Sequence, residues 1–356
     1  MKVFKILAFD GGGVKGALSA RILKRICEKF PNLLDEVDLF AGTSTGSLIS
    51  LSLAYGRDAD FVDNLYNYSN SKKIFSPRKN NIFRPKYSND NLIKLLHDYF
   101  PKDLLIKDLK KYVFVPSFNV AGFSKNRWEV IFFNNLCNNK TYNSRVIDVA
   151  ISSSAAPTFF PSHNNFIDGG VVANSPTAAA VFSTMNCFSS LSSGSNFRLL
   201  SIGAGNSPDK IIGDTSKWGL AQWAFHPFAK MKSPFLSLVM DGSSYLEDIY
   251  CREFLKDNYF RINPKVSKFV EMDNPNFVPF LKNVANEADL TETFNFIKDK
   301  FLNWSIINFC KTKIFLKISK FSLLEIYLST FFFISLKNRN YLKVIPILNC
   351  VKMTNY

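Results

Sequence analysis

Two kinds of hydrophobic pattern alternate along the first 56 residues. The apolar run "VFKILAF" (3–9) predicts a buried strand, and residues 16–30 place apolar side chains four apart, as on one face of a helix. "EVDLFA" (36–41) predicts a second strand, followed by "GTSTG" and a helix that is apolar or small on all sides. Two strand–helix units in succession predict a parallel sheet with helices on its faces.

Similar patterns continue through the rest of the chain. They predict strands at 112–120, 127–133, 164–168 and 197–203, and helices at 145–153, 175–186 and 244–256. Residues 68–90 are rich in Asn, Ser, Pro and basic side chains, which predicts an irregular segment. From Trp304 onward the only acidic residue is Glu325, against eight Lys or Arg. We therefore predict a large domain over 1–302 and a distinct basic tail over 303–356.

The composition favours a folded, basic protein. The chain is 47% hydrophobic and carries a net charge of +15, which favours anionic partners such as lipid headgroups or nucleotides, unless the charge only keeps the chain in solution. Its six cysteines are scattered, with no C-x-x-C, so we expect reduced thiols rather than a disulfide framework or a zinc site. The apolar stretch at the N-terminus is too short for a signal peptide, which favours a cytoplasmic location.

The tail contains one apolar run, "FSLLEIYLSTFFFISL" (321–336). As a helix it would be about 24 Å long at 1.5 Å per residue, shorter than the roughly 30 Å hydrocarbon core of a bilayer. A spanning helix is therefore disfavoured. A helix on the membrane surface, a helix packed on the domain and a segment without selected structure all stay open.

Directly after the first predicted strand, "FDGGGVKG" (9–16) exposes several backbone amides, which suits a negatively charged group. Gly11, Gly13 and Gly16 fit the G-x-G-x-x-G spacing of a dinucleotide-binding loop. A Walker A loop is excluded because the lysine is followed by Gly16 rather than by Ser or Thr. The third interpretation is an oxyanion hole, which requires a nucleophile nearby.

The second predicted strand–helix junction supplies such a nucleophile. "GTSTG" (42–46) has the G-x-S-x-G spacing of a nucleophile elbow, in which small residues flank Ser44 because the turn is tight. Ser44 is expected at the N-terminus of a helix, whose dipole favours negative charge. If the two strands are neighbours in a parallel sheet, both loops emerge at its carboxyl edge and the loop amides lie beside Ser44.

A serine nucleophile needs a general base, and the sequence offers two arrangements. His97 lies in a helical pattern, His163 lies five residues before Asp168, and His226 lies among aromatic residues. The order Ser44, Asp168, His226 suits an α/β-hydrolase triad. The second arrangement pairs Ser44 with Asp168 alone, since Asp168 ends a predicted strand in "FIDGG" and two glycines allow a close turn after it.

Three stretches together resemble the signature blocks of patatin-like phospholipases: "DGGGVKG", "GTSTG" and "DGGVVANSP", in this order. The resemblance covers residues 4–302. It implies an α/β fold of three layers, α/β/α, with a mainly parallel central sheet, and hydrolysis of acyl esters in phospholipids or related lipids without a cofactor or metal. By motif position it implies that Ser44 is the nucleophile and Asp168 the base of a dyad. It also implies an oxyanion hole at Gly11, Gly12 and Gly13, with supporting positions at Lys15, Gly42, Gly46, Gly169 and Gly170.

The irregular segment suggests how such an enzyme meets its substrate. Residues 72–86 of it contain no acid, and their basic residues are interleaved with apolar ones: Lys72, Lys73, Arg78, Lys79, Arg84 and Lys86. This pattern is typical of a cap loop that docks peripherally on an anionic membrane or of a solvated loop. The resemblance also implies that a signalling nucleotide regulates the enzyme, although no residues in the sequence mark a nucleotide pocket. We expect no nucleic-acid partner. A non-catalytic membrane- or nucleotide-binding module is the alternative, disfavoured because both Ser44 and Asp168 are present.

Overall fold

A computed structural model describes residues 3–78, 83–137, 139–206, 211, 214–224 and 234–302. Within these residues seven strands form one sheet: β1 (Phe4–Phe9), β2 (Leu39–Gly42), β3 (Tyr112–Asn119), β4 (Glu129–Asn134), β5 (Phe166–Asp168), β6 (Phe197–Ile202) and β7 (Tyr259–Ile262).

The sheet is mixed but mainly parallel. Its order is β4-β3-β2-β1-β6-β7, and β5 pairs with β3 off this path. The pairs among β3, β2, β1, β6 and β7 are parallel, whereas β4 and β5 run antiparallel to β3. The first two strands are parallel, as the strand–helix pattern predicted, and they are neighbours, with Phe9 opposite Gly42.

Helices cover both faces of this sheet. In the described residues they are α1 (Gly16–Lys29), α2 (Leu33–Glu36), α3 (Thr45–Tyr55), α4 (Ala59–Leu65), α5 (Tyr68–Ile74), α6 (Asp90–Tyr99), α7 (Val146–Ser153), α8 (Gly170–Ala173), α9 (Thr177–Cys187), α10 (Leu220–Ala224), α11 (Pro234–Leu255), α12 (Val278–Glu287) and α13 (Thr291–Phe296).

The alternation of side chains along β1 divides the core between the two faces. Leu7 and Phe9 join a cluster with the apolar faces of α1, α3 and α12, while Ile6 and Ala8 join a second cluster with α9 and α11. All four side chains are inaccessible to solvent. Because a strand buried on both faces has no polar side, "ILAF" reads as a continuous apolar run. The predicted three-layer α/β/α architecture is confirmed.

Some element predictions differ from the structure. The segment 68–90 is not wholly irregular, because α5 occupies its first turns and Asn67 caps that helix through a hydrogen bond to the Asn70 N–H (2.8 Å). The helix predicted at 244–256 is the second half of the longer α11. The strand β7 was not predicted; its four residues carry no alternating pattern strong enough to mark a strand.

The expectation of unpaired thiols is wrong at two positions. Cys137, just after β4, forms a disulfide with Cys187, the last residue of α9, with a Cα–Cα distance of 5.8 Å. They are 50 residues apart in sequence, so no local spacing signals the pair. Cys27 and Cys251 are free thiols.

None of the helices in the described ranges combines the length and the apolar character needed to cross a bilayer. The apolar run at 321–336 lies outside the described residues, as does the whole segment 303–356. The domain boundary near residue 303 therefore stays a prediction.

Candidate active site

Ser44 lies on a strained turn between β2 and α3. Its φ is 53° and its ψ is −120°, a conformation that non-glycine residues rarely adopt. The flanking glycines make the turn sterically feasible. A Cβ at position 42 would lie 2.0 Å from the Gly46 carbonyl oxygen, and one at position 46 would lie 2.3 Å from the Phe9 carbonyl oxygen. The G-x-S-x-G spacing thus reflects close backbone approaches on both sides of the serine.

The strained turn is held by hydrogen bonds from neighbouring serines. The Ser44 N–H donates to Ser153 Oγ (3.0 Å), and the Ser153 hydroxyl donates to the Pro116 carbonyl oxygen in β3 (2.7 Å). Ser47 Oγ donates to the Ser44 carbonyl oxygen (2.6 Å). Ser153 is completely buried, so it fixes the nucleophile turn to the central sheet; sequence analysis did not single it out.

Asp168 ends β5 and is 1% exposed. Its Oδ1 accepts a hydrogen bond from the Gly170 N–H (2.7 Å), while Oδ2 has no hydrogen-bond partner of good geometry. Burial raises the pKa of Asp168 to about 7, against the opposing effects of the Ser44 hydroxyl and the Gly170 N–H. The Ser44 hydroxyl is thus close enough to lower the pKa of this carboxyl, although Oδ2 accepts no well-aligned hydrogen bond.

The glycines after Asp168 allow the carboxyl to reach this place. A Cβ on Gly169 would lie 2.2 Å from the Pro116 carbonyl oxygen. Gly170 begins α8 and directs its N–H at the Asp168 side chain. The same stretch of β3 therefore contacts both sides of the proposed dyad, through Ser153 on one side and Gly169 on the other.

In the glycine loop after β1, two of the three glycine N–H groups have no hydrogen-bond acceptor among the described residues. The Gly11 N–H donates to the Asn174 carbonyl oxygen (2.9 Å), so it is already used. The N–H groups of Gly12 and Gly13 have no acceptor in the described part of the chain, and both residues have positive φ, 155° and 58°. Of the three glycines predicted as oxyanion donors, Gly12 and Gly13 therefore have N–H groups available, whereas the Gly11 N–H anchors the loop to Asn174, just after α8.

One further amide was missed by sequence analysis. Thr45 is the first residue of α3, and its N–H likewise has no acceptor among the described residues. The four first N–H groups of a helix lack intrahelical partners. The residue after the nucleophile supplies an oxyanion donor in G-x-S-x-G enzymes, so the motif itself contained this signal.

Charged residues support the loop from outside. Asp10, which precedes the glycines and is 4% exposed, is held by the Arg261 guanidinium through two hydrogen bonds from β7. Lys15 is half-buried at the C-terminal end of the loop and makes no ion pair with a described residue. The loop therefore carries a cation without a carboxylate partner in the described chain.

A largely apolar cavity opens beside the proposed dyad. It extends from Ser44 and Asp168 to side chains of α3, α5 and α6. Its lining includes Val14, Leu48, Leu65, Tyr66, Ile74, Phe75, Leu92, Leu95, Ala156, Phe159, Phe160, Met240 and Met272, together with the carboxylate of Asp273.

The two described histidines do not line this cavity. His163 Nε2 lies 2.9 Å from Asp148 Oδ1, and His97 is exposed on α6. His226, the histidine of the triad arrangement, lies outside the described residues.

The basic residues of the segment 72–86 lie in different environments. Lys72, Lys73, Arg78 and Arg84 are exposed, and Lys79 lies outside the described residues. Lys86 instead forms an ion pair with the buried Asp273. Among the five described cations of this segment, Lys86 is therefore engaged in an ion pair within the protein.

Comparison with known proteins places the chain in a family. Residues 7–181 match the model of the family described as patatin-like phospholipase. The chain is 32% identical to protein Teg of Priestia megaterium, over 86% of this chain and 100% of that protein. It is 30% identical to CotR of Bacillus subtilis, over 85% and 99% respectively. It is 29% identical to patatin-like protein 2 of Oryza sativa subsp. indica, over 74% and 76%. The chain belongs to the patatin-like phospholipase family.

Proposed function

We propose that this protein is a serine lipid acyl hydrolase that cleaves acyl esters of phospholipids or related lipids. The observation that carries the proposal is the convergence of three features at one edge of the sheet. Ser44 lies on a strained turn, the buried Asp168 carboxyl lies close enough for its pKa to depend on the Ser44 hydroxyl, and unpaired amides lie in the glycine loop. A module that only binds lipid has no need of this arrangement.

The proposed reaction has two steps. Asp168 accepts the Ser44 proton as Oγ attacks the ester carbonyl, and the alcohol leaves from the tetrahedral intermediate with a proton returned by Asp168. Water then attacks the acyl-enzyme with Asp168 again as base, the bond between Ser44 Oγ and the acyl carbon breaks, and the proton on Asp168 passes to Ser44 Oγ as the fatty acid leaves. The N–H groups of Gly12, Gly13 and Thr45 would stabilise the oxyanion in both steps, and each such donor is typically worth about 10²–10³ in rate.

The environment of Asp168 suits a base at neutral pH. An ordinary aspartate, with a pKa near 4, is a weak proton acceptor. Burial raises the pKa of Asp168 to about 7, close to the operating pH that favours general base catalysis. A histidine is not required to supply this basicity.

The direct test combines turnover with active-site labelling. We expect Ser44→Ala and Asp168→Asn to lower kcat/KM for a soluble ester by on the order of 10³-fold or more, and Ser44→Ala to abolish labelling by a fluorophosphonate. Ser50→Ala is the matched control, because Ser50 lies on the same helix, is buried, and its Oγ has no hydrogen-bond partner among the described residues. Activity retained in His226→Ala is expected for the dyad, whereas a loss in His226→Ala as large as in Ser44→Ala would establish the triad instead.

We further propose that the exposed cations of the basic segment contact an anionic membrane. Lys72 and Lys73 lie at the end of α5, and Arg78 and Arg84 follow in exposed positions. Each cation near an anionic surface contributes about 1 kcal/mol, and salt screens the attraction. Sedimentation with vesicles of phosphatidylserine and phosphatidylcholine should fall on charge reversal of Lys72 and Lys73. Equal binding of the variant and the original protein would refute this contact.

A further inference from the structure

We propose that the cavity beside Ser44 holds the acyl chain of the substrate, and that Phe75 and Phe160 set the longest chain it accepts. This proposal rests on the proposed function, because it assigns the two parts of the substrate to different sides of Ser44. The acyl group enters the cavity, and the alcohol with its headgroup stays outside.

The charges of the cavity favour the acyl chain over the headgroup. No Lys or Arg lines it among the described residues, and its acidic lining residues are Asp168 and Asp273. A phosphodiester inside would meet these two carboxyls, and the nearby Lys86 ammonium is already paired with Asp273. An acyl chain, by contrast, removes apolar surface from water along thirteen apolar side chains, and burial of each methylene is favourable.

The path of the acyl chain in the cavity can be traced from Ser44. Leu48 lies one helical turn beyond Ser44 on α3, and it lines the cavity together with Ile74 of α5 and Leu95 of α6. An acyl group on Ser44 Oγ would therefore extend along α3 between these helices. The unpartnered amides of Gly12 and Gly13 lie on the preceding loop, where the carbonyl oxygen is expected.

Aromatic rings form a wall of the cavity that is braced from behind. Phe75 and Phe160 both line it and pack together with ring centroids 5.8 Å apart. Tyr87 is not part of the lining but packs on both rings, at 5.3 and 5.4 Å.

Tyr87 is itself fixed by polar contacts. Its hydroxyl donates to Asp273 Oδ2 (2.7 Å), and the same carboxylate is paired with Lys86. Close-packed side chains held in this way yield little to an added methylene. Phe75 and Phe160 therefore hold their positions and limit the length of the acyl chain that the cavity accepts.

The test is the chain-length profile of ester hydrolysis. We would measure kcat/KM for p-nitrophenyl acetate, butyrate, octanoate, laurate and palmitate. Phe75→Ala should move the preferred ester to longer chains, by about fourfold in kcat/KM for each additional methylene that the vacated space buries. Leu95→Phe, which adds volume on the α6 wall, should move it to shorter chains. Phe182→Ala, on the half-exposed face of α9 outside the cavity, is the matched control and should keep the original profile.

A binding arm separates this inference from the proposed hydrolysis. Affinity for free fatty acids of the same lengths would be measured by calorimetry on Ser44→Ala and on the double variant Ser44→Ala/Phe75→Ala. Shifted affinity with no turnover by the original protein would overturn the hydrolase but support the acyl cavity. Turnover by the original protein, with profiles unchanged in both Phe75→Ala and Leu95→Phe, would overturn the cavity assignment alone. Thermal unfolding identifies a variant that fails to fold, and the other variant then decides.

Discussion

Replacing Asp168 by Asn should stabilise the protein at alkaline pH while removing its activity. The Asp168 carboxyl is 1% exposed, its Oδ2 has no well-aligned hydrogen bond, and burial raises its pKa to about 7. In the pH range between the pKa of an unfolded aspartate and this value, the native state binds more protons than the unfolded state. The free energy of unfolding therefore falls as pH rises through that range.

The size of this effect follows from the two pKa values. The difference between 3.8 and about 7 corresponds to an upper bound of roughly 4 kcal/mol. The stability is complete below about pH 4 and is lost by about pH 8, where the buried carboxylate is ionised in the native state. Asparagine keeps an acceptor for the Gly170 N–H but has no charge to bury. Its new amide donors can cost about 1–3 kcal/mol if they find no acceptor, a cost that does not vary with pH.

The assay is urea unfolding of wild type and Asp168→Asn at several pH values. Other titrating groups contribute equally to both proteins, so the difference in their free energies of unfolding isolates Asp168. This difference should move in favour of the variant by up to about 4 kcal/mol between about pH 4 and about pH 8. A difference that stays constant over this range would refute the raised pKa and with it the argument that burial prepares Asp168 as a base.

Three further outcomes are expected. The kcat/KM for a soluble ester should rise with pH through about 7, because the active form of Asp168 is the carboxylate; a flat profile from about pH 5 to about 9 would count against Asp168 as the base. Gly46→Ala should destabilise the protein strongly, since its Cβ would lie 2.3 Å from a carbonyl oxygen of the first strand. Gly242→Ala in α11, whose Cβ would have no atom within 4 Å, should stabilise it by up to about 1 kcal/mol. Equal melting temperatures of the two variants would contradict this expectation. Arg261→Met should cost about 3–5 kcal/mol of stability by leaving the buried Asp10 unpaired, and Asp10→Asn in the same chain should recover part of that loss in urea unfolding.

Local sequence determined the parts of the site. Gly42 and Gly46 can be recognised in the sequence because a Cβ at either position would collide with the backbone, and they mark Ser44 between them. The parallel arrangement of β1 and β2 followed from two successive strand–helix units, and their adjacency agrees with the rule that sequential strands usually lie side by side. Asp168 could be recognised in the sequence as a carboxyl residue at the end of a predicted strand, followed by two glycines.

Contacts across long sequence separations could not be predicted in this way. Lys86, one of six cations in a basic segment, pairs with a carboxylate 187 residues away. The Cys137–Cys187 disulfide depends on the end of β4 meeting the end of α9. Neither partner carries a local pattern, because the pairing arises only from how distant elements pack.

The chain by itself thus determined which groups the site contains, since glycine, serine and aspartate at fixed spacing constrain the backbone around them. Only the tertiary structure decided their state. It commits the Gly11 N–H to Asn174, leaves Gly12 and Gly13 unpaired, and buries Asp168 until its pKa is raised to about 7. Hydrogen bonding and desolvation depend on every neighbour that the fold brings into contact, and those neighbours come from segments far apart along the chain.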